Sequence, residues 1–272
     1  HVGIDFERYP LHNPDALTTI VDEASAMLEA TGCASFPGFL ASHAVETAAS
    51  HARERAHLAW TTDSSHNAYQ SAGDSRYAED HVANFAMRTR VASIAYDEMP
   101  PNGPVLSLYN YDPFVDFVRA VTSTTVYRLD DPLGAASINV FRPGWSHAFH
   151  FDEAVFTTTL CLQASEEGGE FEYTLPLRNS QEDLAADEVA AAINTYTPLS
   201  VEPKGANAPA LATASFQPGT LQIFAGRYSL HRVAEIPKSC ARDRLVAVLC
   251  FADRPDERNS ASVQRMFWGR EL

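Results

Sequence analysis

Among ten histidines, His150 alone has an aspartate two positions later, in His150-Phe151-Asp152. In an extended strand, residues i and i+2 share a face. The His150 imidazole and the Asp152 carboxylate are therefore expected on one side, with Phe151 on the other. Together they make two legs of a metal site. His231, which follows the run Gly219 to Phe224 and opens His231-Arg232-Val233, is the best candidate for the third. Two histidines and one carboxylate on three corners of an octahedron leave three positions open, a donor set suited to O2 chemistry at Fe(II). A 2-oxo acid such as 2-oxoglutarate would take two positions through its keto and carboxylate oxygens, leaving the last for O2. Its far carboxylate needs a fixed cation. Arg244, at the head of the run Leu245 to Phe251, offers a bidentate fork. Arg232 and Arg242 compete for that role. Each residue also has a plainer reading, His231 as a hydrogen-bonded core histidine and Arg244 as a strand-edge charge. Their order along the chain and their strand context favour the metal site.

These residues must be held by strands. From Ser137 onward, short apolar runs alternate with turns, at 137–142, 147–152, 154–164, 170–175, 220–224, 230–234 and 244–251. Gly168-Gly169 and Pro218-Gly219 are turn signals between them. Many short strands at this spacing predict a jelly roll or sandwich. One helix, about 181–193, interrupts them, with Leu184, Val189 and Ile193 inward, and 202–215 reads as a surface loop. Before Ser137 the pattern is mainly helical. Leu17, Ile20, Val21, Ala24, Met27 and Leu28 predict a helix over 14–30, starting at Asn13-Pro14-Asp15 and ending at Thr31-Gly32. Residues 34–40 read as a short strand and turn. A second helix is expected over 42–58 with Ser42 as N-cap, and a third over about 112–122. The polar stretch 61–82 reads as a loop lying over a site. Arg88 and Arg90, alternating with apolar residues, mark the start of an expected strand, and 100–104 reads as a turn. The expected fold class is α+β, mainly β: N-terminal helices (about 1–125) packed on a cupin-like double-stranded β-helix (about 126–255), with a tail over 256–272, all in one domain spanning 1–272.

Composition narrows the function. The chain has 272 residues, 45% of them hydrophobic, enough for a sizeable core. Its net charge of −15 argues against nucleic acid, whose phosphates are met by Lys and Arg. A negative field can favour cationic substrates, and solubility explains it equally. The four cysteines form no CxxC pair, so a reducing, cytoplasmic setting is the simpler expectation. No apolar run is long enough for a membrane span.

Several segments, taken together, resemble one family: ATGCASFPGFL (30–40), SSHNAY (64–69), DPLGA (131–135), HFDEAVFTTTLCLQ (150–163), GGEFEY (168–173), GRYSLHRV (226–233) and RLVAVL (244–249). The chain is similar, over most of its length, to the Fe(II)/2-oxoglutarate enzymes grouped with the BesD-type amino-acid halogenases and their hydroxylating relatives. The resemblance implies a jelly-roll enzyme that decarboxylates 2-oxoglutarate to succinate and abstracts hydrogen from an unactivated C–H bond of a free amino acid or similar small amine. In the family's halogenases a glycine replaces the aspartate of HxD and opens a place for chloride. Asp152 is retained here, which implies hydroxylation, desaturation or ring closure onto an amine rather than halogenation. The resemblance also implies substrate contact by His147, although strand alternation would turn it away from His150 unless a bulge intervenes. Asn139 is expected near the cosubstrate, or as a strand hydrogen-bonding residue. Arg88 is a candidate for a substrate carboxylate, against a solvated charge. Asp131 or Asp130 is a candidate for an amine. Phe267 and Trp268 either cap the pocket or pack on the barrel. Two other functions stay open: a non-catalytic cupin-type binding protein, which needs no cosubstrate arginine, and a hydroxylase of protein side chains.

Overall fold

The computed structural model describes residues 2–197 and 208–272. Among the described residues, six α-helices and twelve strands follow in the order α1 Pro14–Thr31, β1 Cys33–Phe36, α2 Ser42–Arg55, β2 Trp60–His66, β3 Met87–Ile94, α3 Pro104–Tyr109, α4 Asp112–Thr122, β4 Tyr127–Arg128, β5 Ala136–Phe141, β6 His147–His150, β7 Phe156–Gln163, β8 Phe171–Pro176, α5 Ala186–Tyr196, β9 Ala212–Ala214, β10 Leu221–Phe224, β11 Ser229–Val233, β12 Arg244–Ala252 and α6 Ala261–Trp268. The strands form two antiparallel sheets. The larger runs β1-β10-β7-β12-β5-β3-β2, with β4 also on β12, and the smaller runs β6-β11-β8-β9. This is the expected jelly roll, an α+β fold, with helices and strands in nearly equal shares.

Helices cover the outer face of the large sheet because they supply apolar stripes at helical spacing. In α4, Phe114, Val115, Phe117, Val118 and Val121 are buried, and Pro113 with Asp112 starts the helix. Phe117 packs edge-on to Phe36 at 5.0 Å and parallel to Phe39 at 5.9 Å. Each such buried aromatic stabilises the fold by about 1.5–3 kcal/mol. Helix α1 begins as expected, with Asn13 accepting a hydrogen bond from the Ala16 amide, and it ends at Gly32 in the left-handed conformation.

Several sequence expectations shift. Ser42 is the first residue of α2 rather than its cap: Ala41 is the cap, and its carbonyl accepts from Ala44 and Val45. The first part of the expected 61–82 loop is strand β2, paired with β3 from Trp60↔Ser93 to His66↔Met87. It is a polar edge strand with only Thr62 and His66 buried, so it carries no alternating apolar signal. Helix α3 follows the turn expected at 100–104, with Pro104 at its start. Helix α5 starts later than expected, after Ala185 takes a left-handed conformation at φ 45°, which leaves Leu184 outside it while Val189 and Ile193 are buried. Of the loop expected over 202–215, residues 202–207 lie outside the described residues, and Ala212–Ala214 form edge strand β9 against β8. Among the described residues, no helix is long and apolar enough to cross a membrane.

Candidate metal centre and cavity

The HxD residues sit where a strand gives out. Strand β6 ends at His150, so Asp152 is not on a strand, contrary to the expected run 147–152. The backbone still holds the geometry, because the Phe151 amide donates to Ala68 and the Asp152 amide to Gly226. Phe151 points away, as alternation requires. Its ring stacks on Tyr69, and the Arg178 guanidinium lies 4.5 Å from its centroid. Strand β11 brings His231 directly opposite His150.

The side chains of His150, Asp152 and His231 converge, each offering one ligand atom, with those atoms within 4.8 Å of one another. Asp152 Oδ1 lies 3.6 Å from His150 Nε2 and 3.4 Å from His231 Nε2. Both imidazoles are oriented from behind. Nδ1 of His150 bonds the Ala148 carbonyl at 2.8 Å, and Nδ1 of His231 bonds the Ser229 carbonyl at 2.9 Å. A carbonyl only accepts, so Nδ1 carries the proton and the Nε2 lone pair faces the shared centre. Thr157 Oγ1 donates to Asp152 Oδ2 at 2.6 Å, which leaves Oδ1 for the centre. Burial and the neighbouring His231 press His150 down to about 3, keeping it neutral. Burial works to raise Asp152, but His231, His150 and the Thr157 hydroxyl outweigh it and hold the carboxyl at about 2. Two imidazoles and one carboxylate, each braced by a second group, fit a divalent metal such as iron. The space is tight: a Cβ at Gly226 would collide with the Asp152 carboxylate.

His147 joins this group through the bulge that alternation demanded. Val233 pairs with His147 and His231 with His150, so three steps on β6 oppose two on β11. The His147 ring stacks on His150 at 3.7 Å, and its Nε2 is buried with no hydrogen-bond partner among the described residues.

The cavity around the triad lies between the sheets. Its large-sheet wall shows period-2 alternation through Ser137, Asn139 and Phe141 on β5, then Arg244, Val246, Val248 and Cys250 on β12. Arg244 is 4% exposed and forms no ion pair among the described residues. Burial presses its guanidinium down to about 10, and Phe141 and Phe216 flank it at 5.4 and 5.0 Å. Its stem passes so close to Gly169, which is left-handed at φ 71°, that a Cβ there would sit 2.9 Å from Arg244 Cδ. The competing arginines are occupied elsewhere, Arg232 with Glu172 at 2.6 Å and Arg242 with Glu166 at 3.4 Å. Asn139 lines the cavity and accepts from the Ser93 hydroxyl at 2.9 Å.

Two expected substrate residues are placed differently. Arg88 lies outside the cavity lining, exposed, and forks onto Asp63 at 2.9 and 3.1 Å, because position 88 faces outward on β3. Asp131 is buried but also outside the lining. Its carboxylate accepts from the Leu133, Gly134 and Asn259 amides and from Gln264 Nε2, tying α6 to the 131–134 turn. Asp130 pairs with Arg258 at 3.3 Å. The tail aromatics do reach the cavity: Phe267 and Trp268 line it, and Phe267 meets His147 at 5.5 Å. Gln70, Glu153 and Asn259 also line it, and nothing in their local sequence singles them out.

No family model matches the chain, and no curated protein matches it in sequence. Solved structures match its fold. The non-heme alpha ketoglutarate dependent carbocyclase SnoK from nogalamycin biosynthesis superposes with a TM-score of 0.57 at 14% identity, over 92% of this chain and 92% of that one. AviO1 from Streptomyces viridochromogenes gives 0.56 at 14% identity, over 86% and 96%. The epimerase SnoN, in complex with Fe3+, alpha ketoglutarate and nogalamycin RO, gives 0.54 at 12% identity, over 89% and 85%. At these identities the likeness is one of fold.

Proposed function

We propose that this protein is an Fe(II)- and 2-oxoglutarate-dependent oxygenase acting on an unactivated C–H bond of a free amino acid or similar small amine. The reading is carried by the convergence of His150, Asp152 and His231 in a cavity also lined by Arg244, which is buried and without an ion pair among the described residues. The fold of iron- and alpha-ketoglutarate-bound SnoN supports it. Iron bound with 2-oxoglutarate and O2 supplies an oxidant able to take a hydrogen atom from carbon while the cosubstrate is converted to succinate and CO2.

The chain's own residues set the rest. His150, His231 and Asp152 hold the metal, and the Ala148 and Ser229 carbonyls keep each imidazole aimed. Arg244 meets the far carboxylate of 2-oxoglutarate, and Asn139 lies on the same wall. A bare binding module has no use for such a cation, which disfavours the cupin-type alternative. His147 and Trp268 bound the substrate. Arg88 and Asp131 hold other partners, so we assign neither a substrate charge. Asp152, braced by Thr157, keeps the place a halide would need, so we infer hydroxylation, desaturation or ring closure. We read the chain as an oxygenase-type relative of the BesD-type halogenases, supported by its HFDEAVFTTTLCLQ and GRYSLHRV segments. Four free cysteines fit a cytoplasmic setting.

The test is succinate release from 2-oxoglutarate with and without iron, followed by a mass-spectrometric screen of free amino acids. Succinate formation that depends on iron supports the reading. Equal rates in both arms would overturn it.

A further inference from the structure

Gln70 belongs to no part of the metal site, yet its side chain is fixed against it. Its Nε2 donates to the Phe151 carbonyl at 2.8 Å, on the residue between the two HxD ligands. That bond settles which way the amide faces. The Phe151 oxygen can only accept, so it must meet the amide's NH2, and the Gln70 oxygen must lie on the other side. This Oε1 is buried and has no hydrogen-bond partner among the described residues, and Gln70 lines the cavity. Leaving a carbonyl oxygen buried and unmet is costly, and native folds seldom do it without a ligand or water to meet it.

The backbone is also held in an unfavourable form. Gln70 sits at φ 58°, a left-handed conformation uncommon outside glycine and asparagine. The surrounding turn enforces it. The Gln70 amide donates to the Asn67 carbonyl, the Tyr69 and Ser71 amides to Asn67 Oδ1, and Asn67 Nδ2 to the Ala83 carbonyl at 2.6 Å. The Phe151 amide closes the network on Ala68. Strain kept up by so many bonds is typical of a recognition position.

We propose that Gln70 recognises the substrate, its Oε1 accepting a hydrogen bond from an N–H or O–H that the substrate carries near the oxidised carbon. The inference rests on the oxygenase reading above. It narrows the substrate class to amines or alcohols that still bear a hydrogen on that heteroatom, and it makes Gln70 a determinant of specificity.

The experiment measures succinate release with iron and 2-oxoglutarate across paired probes. One arm pairs free L-amino acids with their N,N,N-trimethyl counterparts, and the other pairs small hydroxy acids with their O-methyl ethers. Wild-type protein is expected to be stimulated by a hydrogen-bearing member in one arm, which identifies the donor as N–H or O–H, and not by its methylated partner. In Gln70→Met, similar in length but unable to accept, that preference should narrow by roughly tenfold to a hundredfold. Iron affinity and Tm report whether the variant is folded. A residue that only braced Phe151 would alter those two readouts and leave the preference intact. Gln70→Asn, which tolerates the left-handed backbone but withdraws the oxygen by one methylene, should narrow it as well. An unchanged preference in both variants overturns the proposal, as does stimulation by no hydrogen-bearing probe while the wild type still makes succinate. Absence of iron-dependent succinate from the wild type overturns the oxygenase reading itself, and the proposal with it.

Discussion

The two ends of the cavity are built from different material. The end that holds Arg244 and Asn139 is made of β5 and β12, where inward side chains fall at every second residue. The other end is assembled from the turns carrying Gln70, Gly134 and Glu153, from Asn259, and from Phe267 and Trp268 at the end of α6. Regular strands position a residue by counting. Turns position it by individual hydrogen bonds to partners far away in the chain. The first end suits a cosubstrate with fixed demands, and the second can change one residue at a time without disturbing the sheet.

Substitutions can break this contrast at either end. The largest effect is expected between the two, in Asp152→Ala. Losing the anionic ligand should lower iron affinity and nearly abolish succinate release, read by equilibrium dialysis and product assay. Wild-type turnover would refute the ligand assignment. At the strand-built end, Arg244→Leu should raise the 2-oxoglutarate requirement by roughly tenfold to a hundredfold, the loss of about 1.5–3 kcal/mol of charge-assisted contact. Iron binding should stay nearly intact. Arg242→Leu is the matched control, because Arg242 pairs with Glu166 outside the cavity. If the control titrates like Arg244→Leu is expected to, the wrong arginine has been chosen.

Reactions in high chloride and then in bromide should give products that gain one oxygen or lose two hydrogens. A chlorine or bromine isotope pattern would contradict the role given to Asp152. Asp152→Gly is expected to chlorinate poorly even with chloride bound, since substrate placement also decides what is transferred.

The turn-built end gives smaller effects. Asp131→Asn exchanges an oxygen that accepts N–H bonds for an NH2 that cannot, loosening α6. A cost of about 1–3 kcal/mol should appear as a Tm lower by several degrees, measured by calorimetry, with substrate preference kept. A changed preference for cationic substrates would restore Asp131 to the site. Arg88→Gln should leave both KM and Tm at wild-type values, because its partner is an exposed aspartate.

The sequence was legible where one local rule governed. Alternation placed Phe151 opposite its neighbours, and it also stated that His147 could join His150 only through a bulge, which the β6–β11 pairing contains. Proline and asparagine marked the start of α1, and α4 showed its apolar stripe directly. Local rules failed where partners were remote. Strand β2 is polar and exists through its pairing with β3. Arg88 and Asp131 have the right chemistry for substrate charges, but Asp63 and the α6 segment claim them first. Gln70 carried no signal, because its orientation depends on the carbonyl of a residue far along the chain.

Arg244 has one more consequence. A buried guanidinium that forms no ion pair among the described residues is a debt against the folded state. On the proposed function, a dianion seated on it would settle that debt, and the cosubstrate would be a thermodynamic component of the fold as well as a reactant. By mass action, a ligand at a hundred times its Kd adds about 2.7 kcal/mol to folding stability. The protein's resistance to heat and proteolysis should then track the supply of 2-oxoglutarate, and Arg244→Leu should uncouple the two. Protein abundance would in this way follow the metabolite that the proposed reaction consumes.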